Sequence, residues 1–432
     1  MRGRLFGTVT LALILAACTP PSPDSAQSKR AFKPLDPAST TFWDRQTTET
    51  ADLLASLATE FNKTNPGPPI DIVQSGGYRD IYLKVTAGIQ AGQLPAMAVA
   101  YESMTAEYAK SGAVVALDDI AHDPKTGLAA ADWDDFFPSV IETNVFPDLG
   151  GKMYSFPFSK SVLMLYFNKR VLAAAGHDAP PRTWDEFLGQ CRDVKATTGK
   201  FALAVNIDAS TVDGIIYSLG GELLDGRKSL FDSPAAIKAF ELIEALGKEE
   251  LAYQIPPKTF NDESDFAQDK VAFTMRTSAG RPSLARLMEA PDAWGMSLLP
   301  QADPERPRTV LFGSNICIFD IGPAQRDAAW AFVKYFTSRD VSVRWALATG
   351  YLPLRKSAAN HPDMNSFWAE WPYNRAAFDG LAYARPEPNI VGWQEVRDLI
   401  EQAETAVLSG MMGGREAALK LKQDADRVLA GN

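Results

Sequence analysis

The 432-residue sequence predicts an α/β fold of two lobes, each a mostly parallel sheet flanked by helices. Three observations predict it. The chain is too long to bury one compact core, so two units are expected. Short apolar runs alternate with helix-periodic segments along the whole body, the pattern of α/β layers. No linker-like break divides that body into contiguous halves, so the chain is expected to cross between lobes more than once.

The elements follow in order. Residues 40–43 suit a short strand, with a loop over 44–50. Leu53, Leu54, Leu57, Ala58 and Phe61 then share one helical face, which stops before Asn65-Pro66-Gly67-Pro68-Pro69. A strand over 70–73 leads through Gly76-Gly77 into a helix carrying Ile81, Leu83, Val85 and Ile89, and a strand over 97–101 leads into another helix. Residues 169–176 form a short helix stopped by Gly176, and Thr183 with Glu186 reads as a capping box opening the next. Strands are expected over 202–205, 271–275, 294–300 and 310–319, helices over 235–246 and around Leu284 and Leu287, and mostly helix from Ala324 onward. Residues 301–308 read as a loop. In the stretch 151–169, the half from Val162 reads as a buried strand. The half before it crowds aromatic and hydroxyl groups around Pro157, which suits either core or a surface built to hold something.

Composition sets outer limits. Hydrophobic residues are 46% and charged residues 22%, ordinary for a globular chain. A net charge of −10 argues against a surface that grips nucleic acid or anionic lipid electrostatically. Arg2 and Arg4 precede an apolar run over 5–17, about the length of a signal-peptide core and too short to span a bilayer as a permanent anchor. It ends in Leu15-Ala16-Ala17-Cys18, which resembles a bacterial lipobox. The reading is a signal peptide over 1–17, a lipid carried by Cys18, and a Pro/Ser-rich tether over 18–39. The body would then sit in the cell envelope outside the cytoplasm, held to the membrane by acyl chains; the plainer alternative is a free hydrophobic helix.

The remaining cysteines, Cys191 and Cys317, either pair in an oxidising compartment or are two separate buried thiols. His122, His177 and His361 lie far apart with no HExxH or CxxC-type partner, so neither a metal nor another cofactor is expected. The chain has no GxSxG elbow, no Walker loop and no GxGxxG. Asp118-Asp119, Asp134-Asp135 and Glu249-Glu250 are adjacent in sequence, so their side chains diverge and suit solvated faces. A glycosidase needs two carboxylates facing across a sugar, and nothing marks such a pair. The expectation is a protein that is not an enzyme.

Polar and aromatic residues collect instead at strand ends and helix starts: Trp43, Tyr78, Tyr101 with Glu102, Ser159-Lys160-Ser161, Ser278, Gly313-Ser314-Asn315 and Gly350-Tyr351. Open α/β sheets bind ligands outside the carboxyl ends of their strands. Aromatic faces suit sugar rings, while Glu, Ser and Asn satisfy hydroxyl groups. Taken singly, each residue also suits core packing or a turn, and Trp184 and Trp330, among apolar neighbours, are assigned to core.

Gly151-Lys152-Met153-Tyr154-Ser155-Phe156-Pro157, Tyr166-Phe167-Asn168-Lys169, Gly176 and Pro181-Arg182-Thr183-Trp184-Asp185-Glu186-Phe187 together carry a family resemblance. The pattern G-K-x-Y-x-x-P, Y-x-N-K, G, P-x-T-W-x-E-F resembles the extracellular solute-binding proteins of ABC importers, in the branch that includes maltose-binding and sn-glycerol-3-phosphate-binding proteins. Thr349-Gly350-Tyr351-Leu352-Pro353 is similar to that branch's C-terminal motif, and the likeness runs from about residue 40 to the end.

The resemblance implies a two-lobed periplasmic-binding-protein fold. Its N-lobe would hold about 40–155 plus 312–350, and its C-lobe about 160–310 plus 351–432. A small solute, a sugar or a glycerol phosphate ester, would sit in the cleft, and the closed monomer would dock on membrane permease subunits. The implied contacts are Tyr78, Glu102, Ser159 to Ser161, Ser278, Gly313 and Tyr351. Glu102 would accept from hydroxyls, while Ser161, Ser278 and the Gly313 N–H would donate. One departure concerns the arginine with which the branch meets phosphate: residues 384–393 show none in register, so either Arg385 replaces it or Trp393 stacks on a sugar. The branch's paired tryptophans are also missing, with Val205-Asn206-Ile207-Asp208 in their place. A lipid-anchored glycan hydrolase and a sensor-only sugar-binding protein are the competing readings.

Overall fold

A computed structural model describes residues 32–257, 259–288 and 290–431. The signal peptide expected over 1–17, Cys18 and the expected tether as far as residue 31 lie outside the described residues. The last part of the expected tether belongs to the fold: Phe32 is buried, and β1 (Lys33–Pro34) pairs in parallel with β4 (Gln93–Leu94). A single aromatic side chain seeking cover draws these residues onto the body, which begins near residue 32 and not 40.

Strands β2 (Thr40–Asp44), β3 (Ile70–Gln74) and β5 (Met97–Ala100) are short and parallel, β2 and β5 largely buried and β3 at the sheet edge, and they alternate with helices α1 (Thr48–Asn62), α2 (Tyr78–Ala91) and α3 (Glu102–Lys110). Helix α1 buries Leu54, Leu57, Ala58 and Phe61, the face expected from their spacing. The chain then enters β6 (Phe156–Asn168), a single 13-residue strand buried along its whole length. Both halves of the ambiguous stretch are therefore one strand.

Strand β6 changes partners midway. Residues Phe156 to Val162 pair antiparallel with β11 (Thr309–Ile318), and Leu163 to Phe167 pair with β9 (Val271–Thr277). Strand β10 (Trp294–Leu298) also pairs with its second half. Beyond β9 lie β7 (Phe201–Val205) and β8 (Ala252–Gln254), again parallel. Strand β11 returns the other way, meeting β12 (Ala384–Arg385) at its start and β5 at its end. The result is one ten-stranded sheet, order β8-β7-β9-β6-β11-β5-β2-β3, with β10 and β12 as side pairs. Its outer strands are parallel, while the two long central strands that carry the chain from one lobe to the other are antiparallel.

Side chains of β6 alternate between two cores, as period-2 geometry requires: Val162, Met164 and Tyr166 enter one cluster, Leu163, Leu165 and Phe167 the other. The second cluster is closed by α4 (Trp184–Thr198), α5 (Ala209–Ser218), α6 (Pro234–Lys248) and, far along the chain, α9 (Trp393–Leu408) and α10 (Gly414–Gly431). The first is closed by α1, α2, α7 (Pro323–Phe336) and α8 (Arg339–Thr349). Leu352, Leu354, Ala358 and Trp368 also bury in the first cluster. The chain joins the second only from Ile390, later than the boundary expected at 351, because these side chains fall against α8 before the backbone turns back.

Thr183 accepts a hydrogen bond from the Glu186 N–H and caps α4 as its spacing required. Cys191 lies in the second core and Cys317 in the first, both as free thiols.

Candidate functional site

A cavity of about 600 Å³ opens where β2 and α1 from one lobe face β9 and α5 from the other. Arg45, Gln46 and Tyr351 line one wall, and Asp208, Arg276 and Phe312 are among the residues of the other side and the floor. Tyr351 is the one sequence-predicted site residue on this lining.

The other predicted residues form a packed layer behind that wall. Tyr78 begins α2 and Tyr101 precedes α3, and their rings lie 4.1 Å apart between centroids. The Arg45 guanidinium lies 4.8 Å above the Tyr78 ring and donates to the Tyr351 hydroxyl at 3.4 Å. Burial pushes both the Tyr78 and the Tyr101 phenol above the ordinary range. The phenol oxygens of Tyr78 and Tyr351 hold the Arg45 guanidinium up. Tyr351 itself stacks on Trp345, ring planes 8° apart.

Glu102 is already occupied. It accepts from Lys160 Nζ at 2.9 Å and from Asn315 Nδ2 at 3.0 Å. Lys160 also donates to the Gly313 carbonyl at 3.3 Å; desolvation lowers its pKa against the opposing pull of Glu102. Ser159 accepts from the Trp345 indole at 3.1 Å, and Ser161 is buried in β6. The segment Ser159 to Ser161 thus does not face the open cavity, because a strand inside the sheet is covered on both faces. Ser278 is buried and accepts from the Val162 N–H at 3.4 Å. Ser314 Oγ lies beside the Tyr78 hydroxyl without a well-aligned hydrogen bond. Gly313 stands at φ +108°, beside a register shift, and a Cβ there would lie 1.9 Å from the Ser159 carbonyl oxygen; no other residue fits. Trp43, half-buried on β2, packs against the first core.

Trp393 requires correction. It is fully buried in the second core, stacked on Phe231 at 6.2 Å, because α9 turns this apolar face toward α6 and not toward the cavity. Four residues beyond that stretch, one turn along α9 from Trp393, stands a buried arginine, Arg397. Its guanidinium lies 5.4 Å from the Tyr101 ring, pairs with Glu387, reaches Asp208 at 3.6 Å and donates to Ser210 Oγ at 2.9 Å. Burial works to lower its pKa and loses to Glu387 and Asp208, which hold it well up. Arg385 lies instead on β12, 3.8 Å from Glu222.

Around this arginine gathers an acidic layer. Asp213, fully buried, sits beside Glu387, and burial followed by their mutual repulsion pushes the Asp213 carboxyl well up. Burial likewise raises Glu387 and, about two turns along α9 from Arg397, Glu404, which accepts from the Asp208 N–H at 3.1 Å. On the opposite lobe, burial raises Asp44 to about 6. Sequence reasoning missed Arg45, Asp208 and Arg397. The first two had a local signal, a charged residue directly after an apolar strand. Arg397 had none, being one more charged residue on a helix.

A family model described as bacterial extracellular solute-binding protein matches residues 56–375. Among curated proteins, the sn-glycerol-3-phosphate-binding periplasmic protein UgpB of Agrobacterium fabrum is 22% identical over 419 residues, covering 90% of this chain and 93% of its own. Among solved structures, UgpB from Mycobacterium tuberculosis in complex with glycerophosphocholine superposes with a TM-score of 0.79 at 19% identity, over 91% of this chain and 98% of that one. The sugar-binding protein MalE from Xanthomonas citri gives 0.78 at 21% identity, over 91% and 98%.

Proposed function

From the premise that this chain belongs to the bacterial extracellular solute-binding protein family, we propose that it is the lipid-anchored binding component of an ABC importer. It takes a carbohydrate or a glycerol phosphate compound into the interlobe cavity and delivers it to the membrane permease. Cys18 carries the lipid, the protein acts as a monomer in the cell envelope, and it binds its solute without transforming it. The names of the relatives support the solute class.

The observation that carries this reading is the cavity itself. It is polar and of ligand size, its walls come from both sides of the sheet, and the long strands β6 and β11 run through the sheet between those sides. Such an arrangement closes by hinge bending around a solute. Arg45, Tyr351, Phe312 and Asp208 are the contacts proposed on the open lining. Tyr78, Tyr101, Glu102 and Lys160 hold the wall behind them and take part as far as closure exposes them.

Thermal denaturation against a panel of sugars and glycerol phosphodiesters tests the reading. A solute at 100 times its Kd should stabilise the protein by about 2.7 kcal/mol. A panel that moves the melting temperature nowhere, or a sample that hydrolyses glycans, would sink it.

A further inference from the structure

The buried and half-buried arginines of this protein are neutralised with one exception at the cavity. Arg397 has Glu387 and Asp208, Arg276 has Asp262 and Glu263, and Arg355 has Asp132 and Asp135. Arg281 has no carboxylate within 4.0 Å among the described residues, but it lies on the rings of Phe367 and Trp371, off the cavity. Arg45 lines the cavity, half-buried, and it too has no carboxylate within 4.0 Å among the described residues. Its sequence neighbour Asp44 makes no ion pair with it; that carboxylate accepts from the Gln46 N–H at 2.6 Å and acts on the Arg45 guanidinium only as a weaker neighbouring charge.

A second observation stands beside it. Gln46, more than nine-tenths buried, also lines the cavity, and its amide Nε2 has no hydrogen-bond acceptor. A buried donor without an acceptor is costly and calls for a partner. Residues 47–50 carry the same wall into the start of α1, a 15-residue helix whose cap residue Thr47 makes no side-chain capping bond. The first N–H groups of a helix and its dipole favour an anion there. The acidic group on this wall is Glu49, which is exposed and bonds to its own backbone N–H and the Thr48 hydroxyl. Arg286 also lines the cavity and adds a second cation, whose charge helps to lower the Glu49 carboxyl.

We infer that the solute carries an anionic group, a phosphate or a carboxylate, and that this chain holds it from the first lobe, between Arg45, Gln46 and the start of α1. The inference rests on the solute-binding reading above and adds the chemical class of the solute and the residues that select it. Arg397 is unsuited to that task because Glu387 and Asp208 already satisfy its charge; it anchors the wall.

The test is calorimetric titration of the wild-type protein and its variants with sn-glycerol 3-phosphate and glucuronate as anionic probes, and glycerol, glucose and maltose as neutral ones. The wild type is expected to bind at least one anionic probe more tightly than its neutral counterpart, the margin shrinking as salt rises. A preference for glycerol 3-phosphate or for glucuronate identifies the group as phosphate or carboxylate. Arg45→Ala should weaken the anionic probe by about ten- to hundredfold, the loss of a charge-assisted hydrogen bond, and a neutral probe by a clearly smaller factor. Arg45→Lys should recover part of it. The melting temperature of each empty variant separates lost contact from lost fold.

Neutral probes that bind while both anionic probes fail would overturn the inference and leave the solute-binding reading intact. Failure of every probe would remove both. Selective loss of anion binding in Arg397→Met, with none in Arg45→Ala, would also overturn it by placing the anion on the other lobe.

Discussion

Lys160 and Glu102 meet at 2.9 Å inside the sheet, with side chains 0% and 4% exposed, one from the crossing strand β6 and the other from the first turn of α3. The resemblance to solute-binding proteins makes Glu102 an acceptor for ligand hydroxyls. Here it is first a counter-ion. Breaking one side of such a pair leaves a buried charge and costs about 3–5 kcal/mol. Glu102→Ala should therefore lower stability to urea by that amount, and Glu102→Leu combined with Lys160→Met should recover most of it. A Glu102→Ala protein as stable as wild type would show that the pair does not carry this role.

Tyr351 behaves differently because it lines the cavity and is only half-buried. Truncation removes one face of the site and the acceptor for Arg45, but opens no core cavity. Tyr351→Ala should weaken solute binding by more than about tenfold, or about 1.4 kcal/mol. The melting temperature of the empty protein should stay near the wild-type value. A large drop in that temperature would make Tyr351 a packing residue.

Asp44 gives the protein a pH signature. Its carboxyl is raised to about 6 from 3.8, burial being the main cause. The folded state therefore holds a proton that the unfolded chain releases. The stabilisation this group contributes is complete below about pH 4 and is lost as pH rises through 6. Its size is bounded at about 3 kcal/mol, the free-energy equivalent of the shift. Asp44→Asn removes the dependence. The stability of wild type minus that of Asp44→Asn should fall between pH 4 and 7, and a difference flat across that range would refute the assignment.

Cys191 and Cys317 lie in different cores, and burial pushes the Cys317 thiol up to about 12 and Cys191 higher still. Neither should react with a thiol reagent in the native protein at pH 8. Both should react after unfolding in denaturant without reductant. Release of no thiols on unfolding would indicate a disulfide and contradict the separation of the cores.

Much of the fold was legible before any coordinates. The spacing of Leu54, Leu57, Ala58 and Phe61 set the buried face of α1, and Thr183 with Glu186 set the start of α4, since periodicity and capping are local physics. The stretch from Gly151 to Lys169 was half legible. Val162 onward reads as buried strand, but the polar Ser159-Lys160-Ser161 reads as surface, because a sequence does not announce that Glu102 and Trp345 will arrive to satisfy it.

By itself, the sequence determined the α/β layering and the family pattern, both written in residues close together along the chain. Only the tertiary structure decided which polar groups are spent on each other and which are left facing the cavity. Glu102 and Arg397 are both buried and both neutralised, while on the open wall the Arg45 guanidinium has no carboxylate within 4.0 Å and the Gln46 Nε2 has no acceptor among the described residues. The reason is physical. Desolvated charges select their partners by three-dimensional distance, and the partners of Arg397 and Lys160 lie 10 and 58 residues away in the chain.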